Sequence, residues 1–320
     1  MTMQPVAAPR RNRLRIAVLT FRRLDEITTC ISQLAHQASQ VADHGWDVDM
    51  LVVDNDPDAG ATDVVGRAAA GAPVAVEYRH EPTPGIAAAR NRALTESTAI
   101  DVLIFFDDDE LPCDGWLSHL LSAHVRYRCA VVGPVVSKFA GELDPWITAG
   151  RFFERLRVPT GTPVAVAATN NLLLDMHVVR ELGLEFDQVF GLSGGSDTLF
   201  TRELHRKGGR MVACDEAIAY DMVPAHRATR RWVIQRALRS GNGWSATSRA
   251  LAQSTGERLH GQARDAMSGV TRLGGGVAQF VSGLLTDNLA LRARGSRTLA
   301  RGAGLLSGAF GYRYFEYKRK

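Results

Sequence analysis

Residues Val102 to Pro112 read Val-Leu-Ile-Phe-Phe-Asp-Asp-Asp-Glu-Leu-Pro, five apolar residues that run without a break into four carboxylates. A short, continuously apolar run fits a strand buried on both faces, and such strands belong to parallel sheets covered by helices. The carboxyl ends of these strands are where open α/β sheets form ligand crevices. Four carboxylates there repel one another and raise one another's pKa values, so a cationic group is expected to share the site. Hard oxygen donors suit Mg2+ or Mn2+. A solvated acidic turn is the simpler alternative, but few such turns follow five apolar residues so directly.

The surrounding pattern is that of an α/β chain. Arg15–Thr20 reads as a strand, followed by a helix over Asp25–Ala42 with Ile27, Ile31, Leu34, Ala35 and Ala38 on one face. Asp49–Asn55 and Val74–Tyr78 are two further strands, with a polar Asp/Pro/Gly segment at 54–62 between them. A helix starts near Pro84-Gly85 and leads to the acidic-ended strand. Trp116–Val125 reads as a helix, Ala130–Gly133 and Val164–Leu174 as strands, and Asp197–Lys207 as a helix closed by Gly208-Gly209. Pro134–Pro163 has little periodicity and is expected to be a flexible segment on the acceptor side. Strands alternating with helices predict a mostly parallel sheet with right-handed crossovers.

Of the 320 residues, 1–13 are expected to form a disordered basic tail, 14–225 an α/β domain, and 226–320 a basic helical region. Residues 221–320 carry 17 Lys+Arg against 5 Asp+Glu, a net +12; the whole-chain +4 therefore leaves −8 for residues 1–220. Cys30, Cys113, Cys129 and Cys214 show neither CxxC pairing nor zinc-site spacing, which fits structural thiols in a reducing compartment. The start of the chain lacks the apolar core of a signal peptide, and no uncharged stretch reaches the roughly 20 apolar residues of a membrane span. A cytoplasmic location is expected.

Thr20, Asp54 and Asp107–Asp109 stand at strand ends that converge along one sheet edge, and a nucleotide fits such an edge. Asp54 can accept hydrogen bonds from a base or ribose, or simply cap a turn. Arg90 can meet a phosphate or lie beside a base, or be a solvated helix arginine.

The segments Thr20-Phe-Arg22-Arg23, Val53-Asp54-Asn55, Pro84-Gly-Ile-Ala-Ala-Ala-Arg90-Asn91, Phe106-Asp107-Asp108-Asp109-Glu110-Leu-Pro-Cys-Asp-Gly-Trp116-Leu117 and Gly194-Gly-Ser196-Asp197-Thr198 together resemble the inverting family 2 glycosyltransferases of the GT-A fold, especially those of succinoglycan-type bacterial exopolysaccharide synthesis. The resemblance covers roughly residues 15–241. It implies a GT-A-like, Rossmann-type, mostly parallel sheet flanked by helices, here with a helical C-terminal extension. It also implies metal-dependent transfer of a sugar, with inversion, from a nucleoside diphosphate sugar (a UDP-sugar first) to a hydroxyl acceptor in polysaccharide, glycolipid or glycosylated-metabolite synthesis.

By the same resemblance Asp54 meets the base, Arg90 the nucleotide, and the Asp107-x-Asp109 pair the ribose, diphosphate and metal. Thr20, Arg22 and Asp108 join the nucleotide contacts, and Asp109 is the expected ligand to Mg2+ or Mn2+. Asp197 is the expected general base, although Ser196 stands where the family usually has Glu. His226 falls where the family commonly has an acidic residue and is a second candidate metal ligand; a lone loop histidine is otherwise structural or solvated.

Arg227, Arg230, Arg231, Arg236 and Arg239 form the densest basic run. They fit either acceptor phosphates or a solvated helix face. With Trp232 and Trp244 and the +12 charge, they suit a glycan or lipid-linked acceptor and an anionic membrane surface, on the inner face of the cell membrane. A nucleic-acid partner is not expected, because it would leave the acidic strand end unexplained. A nucleotidyltransferase would be expected to carry a Gly-rich phosphate loop after the first strand, and Thr20-Phe-Arg-Arg is not one. A non-catalytic nucleotide-sugar-binding scaffold remains the other alternative.

Overall fold

The computed structural model describes residues 12–42 and 44–314. Residues 1–11, most of the expected basic tail, lie outside them, and Asn12 already opens the first strand. The elements run β1 (Asn12–Thr20), α1 (Leu24–Ala42), β2 (Trp46–Asp54), α2 (Thr62–Ala70), β3 (Ala75–His80), α3 (Ile86–Glu96), β4 (Val102–Asp107), β5 (Glu110–Pro112), α4 (Trp116–Tyr127), β6 (Ala130–Val132), β7 (Val135–Phe139), α5 (Pro145–Ala149), β8 (Asn171–Asp175), α6 (Met176–Glu181), α7 (Ser196–Arg206), β9 (Met211–Ala213), β10 (Ala219–Val223), α8 (Arg230–Leu251), α9 (Thr255–Leu285) and α10 (Leu289–Ala309).

Seven strands form the main sheet in the order β3-β2-β1-β4-β8-β6-β9, parallel except at β8, which runs against both of its neighbours. The expected mostly parallel sheet is therefore present. Its strands are buried on both faces by period-two alternation. Val102, Ile104 and Phe106 pack with Ile16, Val18 and Val52 against α1 and α4. Leu103 and Phe105 pack with Ala17, Leu51 and Val53 against α3 and α7. On the first face Trp116 is fully buried and meets Phe106 edge-on, with its indole Nε1 donating to Asn171 Oδ1 at 2.9 Å.

Three sequence expectations needed correction. Helix α2 occupies part of what reads as a plain connection; its nine residues bury only Val65. Of the Val164–Leu174 run, only Asn171–Asp175 is strand. Asn171 ends the pairing with β4 by turning its side chain to the carbonyls of Pro134 and Ala217. Pro134–Pro163 is not simply irregular: β7 pairs with β10, and β10 with β5, as a second three-stranded sheet.

The C-terminal region is helical as expected. Thr229, Ser254 and Asn288 cap α8, α9 and α10 through side-chain oxygens that accept first-turn amides. Glycines let these helices approach closely: a β-carbon at Gly304 would run into the Leu238 carbonyl of α8, and one at Gly276 into Leu299 of α10. Among the described residues no helix is long and apolar enough to cross a membrane.

Candidate active site

The strand order 3-2-1-4 reverses direction between β1 and β4, and a sheet of this kind leaves a crevice at that switch point. Register places Thr20 beside Asp54 and Leu19 beside Asp107, so the polar strand ends expected to converge do share one edge. Next to them lies a cleft of about 1070 Å3, walled by Thr20, Arg22 and Arg23 after β1, Asp107 to Glu110 after β4, Asp197 of α7, and Trp232, Arg236 and Arg239 of α8.

The acidic strand end is tightly held. Thr20 Oγ1 donates to Asp108 Oδ2 at 2.8 Å. Arg23 Nη1 lies 2.5 Å from Asp108 Oδ1 and 2.9 Å from Asp109 Oδ2, and Arg227 Nη1 lies 3.2 Å from that same Asp109 oxygen. These two arginines are cations of the kind that like-charge crowding demands. Burial pulls the Arg23 guanidinium down, but Asp108 and Asp109 outweigh it and hold its pKa above the ordinary value.

Burial first, then Asp109, pushes Asp107 up to about 7 against the opposing pull of Arg90 and Arg23. Burial likewise raises Asp108 to about 6, with Arg23 the strongest opposing influence. Glu110 is raised well above the usual range by burial and then by Asp107; its Oε1 accepts from Asn170, while its buried Oε2 has no partner.

This donor set is all oxygen, carries excess negative charge and includes an orphaned buried carboxylate oxygen, so it fits a hard divalent cation. Among the described residues, however, no three His, Cys, Asp or Glu side chains are arranged to hold an ion by themselves.

The other expected residues divide. Asp197 reaches the cleft from the first turn of α7 and is not the helix cap, since Gly195 occupies that position with φ 93°. Its carboxylate accepts from the Thr198 amide at 2.7 Å. Arg22 lines the rim in a left-handed backbone conformation (φ 55°), with Nε 3.0 Å from Asp56 and Nη2 3.3 Å from Asp58.

Three residues stand away from the cleft wall. Asp54 is fully buried, and its oxygens accept from the amides of Asp56 and Ala61 (both 2.9 Å) and from the Tyr78 hydroxyl (3.0 Å). It ties down the turn after β2; Asn55, whose side chain holds Glu81, Thr83 and Gly85, lines the cleft beside it. Asp54→Ala is accordingly expected to cost about 3 kcal/mol or more of stability, the scale of several lost charge-assisted hydrogen bonds, read by urea unfolding. Arg90 is buried, with Nη1 donating to Ser196 Oγ at 2.6 Å and its guanidinium 5.4 Å from the Phe186 ring centroid; it touches the site through its charge on Asp107. His226 sits exposed in the 3-10 turn Ala225–Arg227, and its neighbour Arg227 is what reaches Asp109.

Sequence reading gave no role to Arg23, Arg155 or Asp221. Arg23 had a signal: two arginines follow within three residues of the end of a strand that runs beside the acidic one. Arg155 and Asp221 lie 3.4 Å apart on the cleft wall, but Arg155 comes from the stretch without periodicity, so nothing pointed to it. Of the basic run, Arg230 turns away from the acceptor role to pair with Asp144 at 2.6 Å.

A switch-point cleft lined by an acidic strand end and a helix-borne carboxylate fits a group transferase of α/β class. Comparison with known proteins sharpens this. Residues 15–183 match the model of glycosyl transferase family 2. The chain is 31% identical over 302 residues, 94% of both chains, to the succinoglycan biosynthesis protein ExoM of Rhizobium meliloti (strain 1021). In fold it is similar to the mannosyltransferase PcManGT from Pyrobaculum calidifontis, solved with GDP-Man and Mn2+ (TM-score 0.62, 16% identity, covering 94% of this chain and 88% of that one). It is also similar to residues 1–349 of S. aureus TarS (TM-score 0.50, 14% identity, 90% of each). The chain belongs to glycosyl transferase family 2 and is a glycosyltransferase with a GT-A-like fold.

Proposed function

We propose that the enzyme moves a sugar from a nucleoside diphosphate sugar to an acceptor hydroxyl with inversion, Asp197 acting as general base, in the assembly of an exopolysaccharide. The observation that carries this reading is that Asp197 opens onto the same cleft as Asp107–Asp109. In the transfer, the acceptor oxygen bonds to the anomeric carbon as the bond from that carbon to the β-phosphate oxygen breaks. The acceptor proton passes to Asp197, and the nucleoside diphosphate leaves with the electron pair. A single displacement of this kind inverts the anomeric centre.

Asp109, Asp108 and Asp107 would hold Mg2+ or Mn2+ together with the diphosphate, and the ion would supply charge stabilisation for the leaving group. Arg23 and Arg227, already seated on Asp108 and Asp109, would turn toward the phosphates. Thr20 and Asn55 flank the nucleotide end, and Arg22 closes its rim.

On the opposite wall, Phe153 and Trp232 lie nearly parallel (5°, centroids 5.9 Å apart) with the Arg236 guanidinium over both rings. Aromatic faces and guanidinium groups suit a saccharide carried on a lipid phosphate. The similarity to ExoM, a succinoglycan biosynthesis protein, supports a glycan or lipid-linked acceptor, and with the basic C-terminal region it supports work at the inner face of the cell membrane. The division between donor-binding domain and basic helical region is placed at 225/226, with Arg227 reaching back from the helical side to Asp109.

Isothermal titration of UDP, GDP and dTDP with and without Mn2+ tests the donor half. Metal-dependent binding of one diphosphate, UDP first, is expected; silence toward all three would sink the reading.

A further inference from the structure

Helix α9 carries an unpartnered apolar face. Met267, Val270, Val277, Val281, Leu284 and Leu285 are between 44% and 83% exposed. At 3.6 residues per turn they fall within an arc of about 100° along about 27 Å of helix. The opposite side is the buried one, where Gly269, Gly276 and Gly283 pack against α10. Between Met267 and Leu285 the single charged residue is Arg272. Neither acidic residue of α9 offsets it: Glu257 caps the helix start by accepting from the Gln253 amide, and Asp265 is buried beside Arg264.

On α9 itself Arg264 stands three residues before Met267 with its side chain 58% exposed, and Arg272 lies between Met267 and Val277. At the start of α9, where Gln262 donates to the Ala309 carbonyl, the aromatic residues Phe310 and Tyr312 are 80% and 60% exposed.

We propose that this face of α9 is a lipid-docking surface, lying in the plane of an anionic membrane with the arginines of the C-terminal region drawn to its headgroups. An apolar helix face beside excess Lys and Arg is the pattern of interfacial helices. A second copy of the chain is the competing occupant. A helical partner is specified by charges flanking the seam, and here the flanking positions are Thr271, Leu273, Ala278 and Phe280, which fix no register. The net +12 of residues 221–320 complements anionic lipid and opposes a like-charged copy. The proposal rests on the membrane-face location given above and assigns it a surface.

The test is co-sedimentation of the full-length protein, at low salt, with vesicles of phosphatidylcholine alone or mixed with phosphatidylglycerol. Binding to the mixed vesicles and much weaker binding to the neutral ones is expected. The double variant V277E/V281E, and independently M267E, should weaken that binding roughly tenfold or more by charging the face that enters the lipid. These positions are exposed, so helical content by circular dichroism and nucleotide titration should match the unmodified protein. Failure of the unmodified protein to bind anionic vesicles, or unchanged binding by both variants, would overturn the proposal. So would light scattering that shows a dimer converted to monomer by V277E/V281E without vesicle binding, which would assign the face to a second copy. Nucleotide titration reports the donor site separately, so failure of the glycosyl-transfer reading would be recognised by itself.

Discussion

Asp197→Asn is expected to lower the rate of sugar transfer by roughly 100- to 10,000-fold, the range that one positioned general base contributes, while nucleoside diphosphate affinity stays unchanged. Asn has nearly the shape of Asp and can still accept from the Thr198 amide, so the helix start is preserved. It cannot take a proton from an acceptor hydroxyl. Initial rates with donor sugar and a lipid or glycan acceptor, set beside isothermal titration of the diphosphate, separate the two effects. A drop in affinity that matches the drop in rate would move Asp197 to the donor site; an unchanged rate would remove it from the chemistry.

Asp109→Ala should act in the complementary way, with metal-dependent nucleotide binding lost and transfer reduced by roughly 100-fold or more, as expected when an electrostatic stabiliser of the leaving group is removed. Asp109 is only partly buried and meets both Arg23 and Arg227, so its loss leaves two guanidinium groups on the cleft wall without their shared carboxylate. Residual nucleotide affinity in the variant should therefore become independent of Mn2+ rather than vanish. Retained Mn2+ dependence at full strength would transfer the ligand role to Asp107 or Asp108. Adding EDTA to the unmodified protein should reproduce the variant's behaviour, and removal of metal with no effect on binding would argue against any ion at this strand end.

The chain announces its class in short segments. Five apolar residues ending in Asp107–Glu110 read as an interior strand meeting a ligand edge, because an apolar run that turns abruptly to carboxylates marks a strand end. The C-terminal region also reads as helical and basic, while its caps Thr229, Ser254 and Asn288 come from the structure. Membership of glycosyl transferase family 2 followed from the same segments.

Which side chain does what depended on the third dimension. Asp54 stands at a strand end in the sequence as convincingly as Asp107, yet a turn folds back over it and takes its oxygens. Arg90 belongs to a distinctive segment, but α3 packs it beneath the cleft against Ser196. His226 and Arg227 are adjacent in the chain, and only the 3-10 turn decides that Arg227 reaches Asp109.

By itself, then, the sequence determined the alternating α/β order, the acidic strand end, the carboxylate at the start of α7 and the charge of the C-terminal half, since each is local or compositional. Tertiary structure alone decided the partners of those carboxylates, the second sheet built from β5, β7 and β10, the aromatic wall from Phe153 and Trp232, and the face that α9 leaves uncovered. The first three join residues far apart in the chain, and the last depends on where α10 packs against α9. Such contacts depend on how elements pack, to which local periodicity is blind.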